Sequence, residues 1–215
     1  MPRYPTVLFD LDGTLIDSIR LILDSYHHTF ALFGLPARSD EELILGIGTP
    51  LKTQLLQYAS DPLMADKLVE TYRAYNLEHH DTEVSVYPGI VDCVAALAAA
   101  PVRLAIVTSK NRNTAKRGLA LAGLQDAFEV LVCGEDVKNA KPHREPVDRA
   151  LELLGASYEG AIFVGDSVHD MHSGRAAGIA TGAALWGPFT KAQLAETEPS
   201  HFFESPGDVL SIVLG

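Results

Sequence analysis

Four apolar runs stand out along the chain, at residues 6–10, 104–108, 130–133 and 161–165, with a weaker fifth at 179–186. None of them alternates with polar residues, so they predict strands buried on both faces, as in a parallel sheet. Helix-patterned segments lie between them, at 89–99, 111–122, 142–154 and 168–177. Gly123 and Gly155 stand where helix C-caps belong. Strand and helix in alternation predict an α/β fold, a Rossmann-like doubly wound parallel sheet.

Residues 18–83 break the alternation. Asp17-Ser18 can cap a helix that carries Ile19, Ile22, Leu23, Tyr26, Phe30 and Phe33 on one stripe, ended by Gly34 and Pro36. Thr49-Pro50 and Asp61-Pro62 each read as an N-cap followed by proline at the first helical position. Met64, Leu68, Tyr72 and Tyr75 continue a helical stripe. The pattern divides the chain into a core of residues 1–17 and 84–215 and an inserted α-helical cap domain of residues 18–83. Such an insert leaves the sheet at the carboxyl end of the first strand, where α/β proteins bind ligands, and reads as a lid.

Composition narrows the class. The 215 residues are 47% hydrophobic and 21% charged, which excludes disorder as the main state. The net charge of −11 weighs against nucleic acid as a partner. Cys93 and Cys133 are too few for a disulfide framework, and no Cys-x-x-Cys is present. No apolar run is long enough to span a bilayer, and none at the start reads as a secretory signal. The expectation is a cytoplasmic protein without membrane contact, a monomer or weak homodimer.

Polar groups collect at the predicted strand ends. In Asp10-Leu-Asp12 the two acids are two apart, so in extended chain they face the same way, and Gly13 permits a sharp turn. Thr108-Ser109 closes the second apolar run, Lys141-Pro142 follows the third, and Asp166-Ser-Val-His-Asp170 follows the fourth. Each has a plain alternative. Thr108 or Ser109 could cap the next helix, Lys141 could be a surface lysine, and Ser167-x-x-Asp170 fits a capping box. What those alternatives leave unexplained is the co-occurrence of all four in this order.

Taken together, these motifs resemble those of the haloacid dehalogenase superfamily of phosphatases, over the whole chain. The resemblance rests on Phe9-Asp-Leu-Asp-Gly-Thr-Leu15, Val107-Thr-Ser-Lys110, Lys141-Pro142 and Gly165-Asp-Ser with Asp170. The insert resembles the family's small α-helical cap, and Arg175-Ala-Ala-Gly-Ile179 is similar to phosphoglycolate phosphatases. The resemblance implies a nucleophilic Asp10 that forms an aspartyl-phosphate, with Asp12 as the acid and base. It implies phosphoryl contacts from Thr108 and Lys141, with Ser109 beside them. Mg²⁺ would be held by Asp10, Asp166 and the backbone carbonyl of Asp12, with Asp170 supporting the shell. Relatives that cleave carbon–halogen bonds lack the second aspartate, so Asp12 points to a phosphate ester, whose leaving oxygen needs a proton.

The charge balance agrees with that chemistry. Two like charges about 4 Å apart repel by roughly 4 kcal/mol at an effective dielectric near 20. Several carboxylates and a phosphate therefore need Mg²⁺ and Lys141 among them, and hard oxygen donors suit Mg²⁺ better than zinc. In the cap, Arg20, Thr49 and Lys52 are candidate substrate contacts, and Lys110 is ambiguous. His27-His28 and His79-His80 read as polar helix faces, while His169 and His172 lie beside Asp170 without an evident third zinc ligand. The expected partner is a small phosphorylated metabolite, with phosphoglycolate-like esters first. Inorganic pyrophosphatase, phosphosugar mutase and a receiver-like signalling module are the alternatives. The absence of an arginine near Thr49 weighs against the mutase.

Overall fold

A computed structural model describes all 215 residues. Six strands form one parallel sheet: β1 (Thr6–Phe9), β4 (Arg103–Val107), β5 (Val130–Val132), β6 (Ala161–Gly165), β7 (Ala180–Ala184) and β8 (His201–Phe203). Their order is β5-β4-β1-β6-β7-β8. Chain order reverses between β1 and β6, which makes the carboxyl ends of these two strands the topological switch point.

Both sheet faces are covered, as the continuous apolar runs require. Val7, Phe9, Leu104, Ile106, Ile162 and Val164 pack on one side against α5 (Ile90–Ala99), α6 (Arg112–Leu121) and α10 (Pro206–Leu214). Leu8, Ala105, Val107 and Phe163 pack on the other against α7 (Glu145–Leu154). Each fully buried aliphatic or aromatic side chain contributes roughly 1.5–3 kcal/mol. The end of α8 (Val168–Ala177) joins this second layer through Ala177.

Between the first strand and α5 the chain leaves the sheet. The two-residue strands β2 (Ile16–Asp17) and β3 (Ser85–Val86) pair antiparallel, with Asp17 opposite Ser85. Beyond this ribbon lie α1 (Ile19–Leu32), α2 (Asp40–Ile44), α3 (Leu51–Leu56) and α4 (Pro62–Glu83). They enclose a separate apolar core of Tyr26, Phe30, Leu43, Leu55, Leu68 and Tyr72 among others.

Several local expectations need correction. The sheet has a sixth strand, β8, whose His-Phe-Phe segment between Ser200 and Glu204 does not read as an apolar run. The helix expected from residue 142 starts at Glu145, because Pro142 to Arg144 form a turn. Asp61 caps α4 with Pro62 in the first turn, and its Oδ1 accepts from Met64 N at 2.9 Å. Thr49 does not cap α3: Pro50 holds the N-cap position, and Thr49 Oγ1 donates to the Gly46 carbonyl at 2.8 Å. His80 is not on a polar face but fully buried. No helix is long and apolar enough to cross a membrane, and both cysteines are buried and free.

Candidate active site

Three adjacent strands, β4, β1 and β6, are followed directly by Thr108, Asp10 and Asp166 respectively. Parallel pairing in register brings these three side chains to one edge of the sheet. All three are buried, as are Lys141 and Asp170. Lys141 arrives from the turn before α7, and Asp170 from the first turn of α8.

Lys141 is the electrostatic centre of this group. Its Nζ lies 2.6 Å from Asp170 Oδ1 and 3.0 Å from Asp10 Oδ1. Burial would lower its pKa, but the charges of Asp10 and Asp170 overcome that and hold it above the usual lysine value. Asp170 also closes the capping box of α8: its Oδ2 accepts from Ser167 N at 3.0 Å and from Ser167 Oγ at 2.6 Å. The cap and the site are thus the same residue.

One carboxylate oxygen from each of Asp10, Asp166 and Asp170 lies within 4.8 Å of the others. Burial first, and then the neighbouring charge of Asp170, push Asp10 up to about 7. Burial and the charges of Asp170 and Asp10 likewise raise Asp166 well above the carboxylate range. Three carboxylates and one lysine sum to −3 + 1 = −2. Asp10 Oδ1 is met only by the Lys141 ion pair at 3.0 Å, and Asp166 Oδ2 is buried with no partner at all. A double negative charge, with one buried carboxylate oxygen wholly unpartnered, fits a divalent cation. The chain makes room for this close approach at Gly13, where φ is +82° and a Cβ would stand 2.5 Å from Asp166 Oδ2.

Asp12 turns away from the trio. Its Oδ1 accepts from Ser18 Oγ at 2.5 Å and from Lys110 Nζ at 2.7 Å. Ser18 therefore begins α1 without capping it through its side chain. Asp10 and Asp12 both face a cavity of about 320 Å³ between the sheet edge and the helical insert. Thr108, Ser109, Thr49 and Lys52 line it too. Ser109 Oγ, however, donates to the Gly48 carbonyl at 2.6 Å, so its hydroxyl joins the two halves of the molecule. The next helix, α6, is capped by Asn111, and neither Thr108 nor Ser109 serves that purpose.

Arg20 is misplaced by the sequence reading. Its side chain is 71% exposed, pairs with Asp24 at 2.6 Å and lies outside the cavity. The i,i+4 spacing to Asp24 on α1 captures the guanidinium locally. Lys52 does line the cavity but pairs with Asp66 at 2.5 Å. Residues overlooked in the sequence are Arg73, Asn76, Tyr72 and Gln54 of the insert, all cavity-lining. Tyr72 was visible as a core stripe residue, and Arg73 and Asn76 are its neighbours on α4. His169 Nε2 stands 3.0 Å from the Leu45 carbonyl, His172 is exposed, and neither belongs to the metal-compatible trio.

Residues 7–184 match the family model for haloacid dehalogenase-like hydrolases. The chain belongs to that family. It is a phosphatase of the superfamily, an enzyme class that works with a divalent metal. It is 39% identical over 208 residues to "Pyrophosphatase PpaX" of Anoxybacillus flavithermus, covering 97% of this chain and 96% of the relative. The protein of the same name from Bacillus pumilus is 40% identical over 208 residues, covering 97% and 95%. Among solved structures, a haloacid dehalogenase-like hydrolase from Streptococcus pneumoniae superposes with a TM-score of 0.85 at 28% identity, covering 97% of this chain and 98% of that one. A protein from Lactobacillus plantarum, provisionally named a phosphoglycolate phosphatase, gives 0.85 at 26% identity, covering 97% and 99%.

Proposed function

We propose that this phosphatase hydrolyses inorganic pyrophosphate with Mg²⁺, through an aspartyl-phosphate on Asp10. The supporting observation is the charge of the cavity. Beyond Asp10, Thr108 and the acids Asp12 and Glu135, it carries Lys110, paired with Asp12, on the core side, and Arg73 with the Asp66-paired Lys52 on the insert side; of these cations Arg73 is in no ion pair. A second phosphate needs such cations, and the full-length relatives are named for pyrophosphate.

In the first step Asp10 attacks one phosphorus, and the bond to the bridging oxygen breaks. The leaving phosphate takes a proton from Asp12. In the second step the Asp12 carboxylate takes a proton from water, the water oxygen bonds to phosphorus, and the bond to Asp10 breaks. Orthophosphate leaves and Asp10 is restored. Lys141 and Thr108 hold the non-bridging oxygens as the bonds change. A phosphate leaving group is far less basic than an alkoxide, so it asks less of Asp12 as an acid. Lys110, 2.7 Å from Asp12, can meet its charge directly.

Asp10 and Asp166 would hold the Mg²⁺, Asp166 through its unpartnered Oδ2, with the Asp12 carbonyl beside them and Asp170 behind. The bound ion supplies charge neutralisation, which lets an anionic nucleophile meet an anionic substrate. The setting is cytoplasmic. The second reading is a phosphomonoester whose other end is an acid, such as phosphoglycolate, since a carboxylate could use the same cations. Initial rates of phosphate release with Mg²⁺ on pyrophosphate, phosphoglycolate and hexose phosphates separate the two. A kcat/KM for phosphoglycolate above that for pyrophosphate would reverse their order.

A further inference from the structure

Trp186 is the single tryptophan of the chain. It follows β7 at the same edge of the sheet as the carboxylates. Its indole Nε1 donates to the backbone carbonyl of Thr14 at 2.9 Å, 172 positions away in sequence. Thr14 is fully buried, and its Oγ1 donates in turn to Asp166 Oδ1 at 2.6 Å. The residue after the tryptophan presses on the same side chain: a Cβ on Gly187 would stand 2.3 Å from Asp166 Cβ. Asp166 is therefore pinned at one oxygen and walled along its stem, while Oδ2 stays unpartnered.

We infer that Trp186 is a positioning residue of the metal centre, acting through Thr14 on Asp166. The indole fixes the turn that carries Thr14, Thr14 fixes the rotation of the carboxylate, and the free oxygen faces the ion's place before the ion arrives. Partners one step removed from a metal ligand set its orientation and are felt in affinity. Phosphoryl transfer itself makes no use of the indole. The inference rests on the Mg²⁺ reading above.

The test is binding of Mg²⁺ alone to the metal-stripped full chain, by calorimetry and by indole emission. Wild-type emission should change and saturate at the calorimetric Kd. Trp186→Phe keeps an aromatic ring but removes the donor. It should weaken Mg²⁺ about tenfold, the lower edge of what such partners cost, while the metal-free melting temperature stays close to wild type. Thr14→Val should weaken binding as well, and the double variant should bind no worse than Thr14→Val alone, because the tryptophan works through that threonine. Unchanged affinity in Trp186→Phe, additive losses in the double variant, or an emission blind to binding that calorimetry registers would each overturn the inference and leave the metal reading standing. A wild-type chain that binds no Mg²⁺ would overturn both.

Discussion

Ser109 Oγ donates to the backbone carbonyl of Gly48 at 2.6 Å, joining the end of β4 to the loop between α2 and α3. This hydrogen bond ties together two walls of the cavity that Asp10 faces. A neutral hydrogen bond is worth about 0.5–1.5 kcal/mol, so Ser109→Ala should leave the fold intact and loosen that tie. Amide exchange at residues 46–49 should quicken, and kcat/KM should fall by roughly threefold. Exchange indistinguishable from wild type would mean that other contacts hold the loop.

Lys141 sits between Asp10 and Asp170 with a side chain only 1% exposed. Removing the charge strands two buried carboxylates. Breaking a buried pair costs about 3–5 kcal/mol, which for a chain of this size lowers Tm by roughly 10 °C. Lys141→Met should show that loss by calorimetry together with loss of turnover. A variant that melts like wild type would show that the lysine charge is not needed for the fold.

Asp10→Asn should separate chemistry from stability. The amide cannot form the acyl phosphate, so hydrolysis should fall by at least about a thousandfold. Without metal, however, the variant removes one member of a crowded set of acids. It should therefore melt higher than metal-free wild type. Full activity in this variant would refute the nucleophile.

The raised carboxylates give the metal-free protein an unusual pH response. Asp10, pushed to about 7 by burial, and Asp166, raised by the same cause, bind protons more tightly folded than unfolded. Their contribution is full below the unfolded carboxylate value near ~4; that of Asp10 is lost as pH rises through about 7, and that of Asp166 as pH rises through its own raised value. In EDTA, thermal stability should therefore rise as pH falls from about 8 to about 5. Below about 4, where that contribution is complete, the sign changes, because Asp81, held at about 2 by Arg117, loses its pairing as it takes up a proton. With saturating Mg²⁺ the upper limb should invert, since protons then compete with the ion. Melting curves across pH in EDTA and in Mg²⁺ check both limbs.

Much of this site was legible because strand ends are legible. Asp10, Thr108 and Asp166 each follow an apolar run, and parallel pairing of β4, β1 and β6 aligns those ends. Short segments with polar neighbours left no such trace: β8 and the β2–β3 ribbon show themselves only through long-range pairing, whereas the equally short β5 is all aliphatic. Arg20 is a free cation only until Asp24, four positions on along the same helix, is weighed against the site as its partner. Arg73 and Asn76 were hidden for another reason. They sit among the ordinary polar residues of a helix face, and only the packing of α4 over the sheet edge turns that stretch toward Asp10. The direction of the Asp12 side chain depended on Ser18 and Lys110, the latter 98 positions away.

The pairing of Asp17 with Ser85 places the exit and the return of the chain next to each other. An excursion of four helices thus opens and closes through one doorway, and the sheet behind it is complete without them. The insert is a separable addition to the sheet: a short turn would join the two door posts, and β1, β4 and β6 would keep their pairing. Recognition of the substrate's far end can then change independently of the machinery that breaks its phosphorus–oxygen bond.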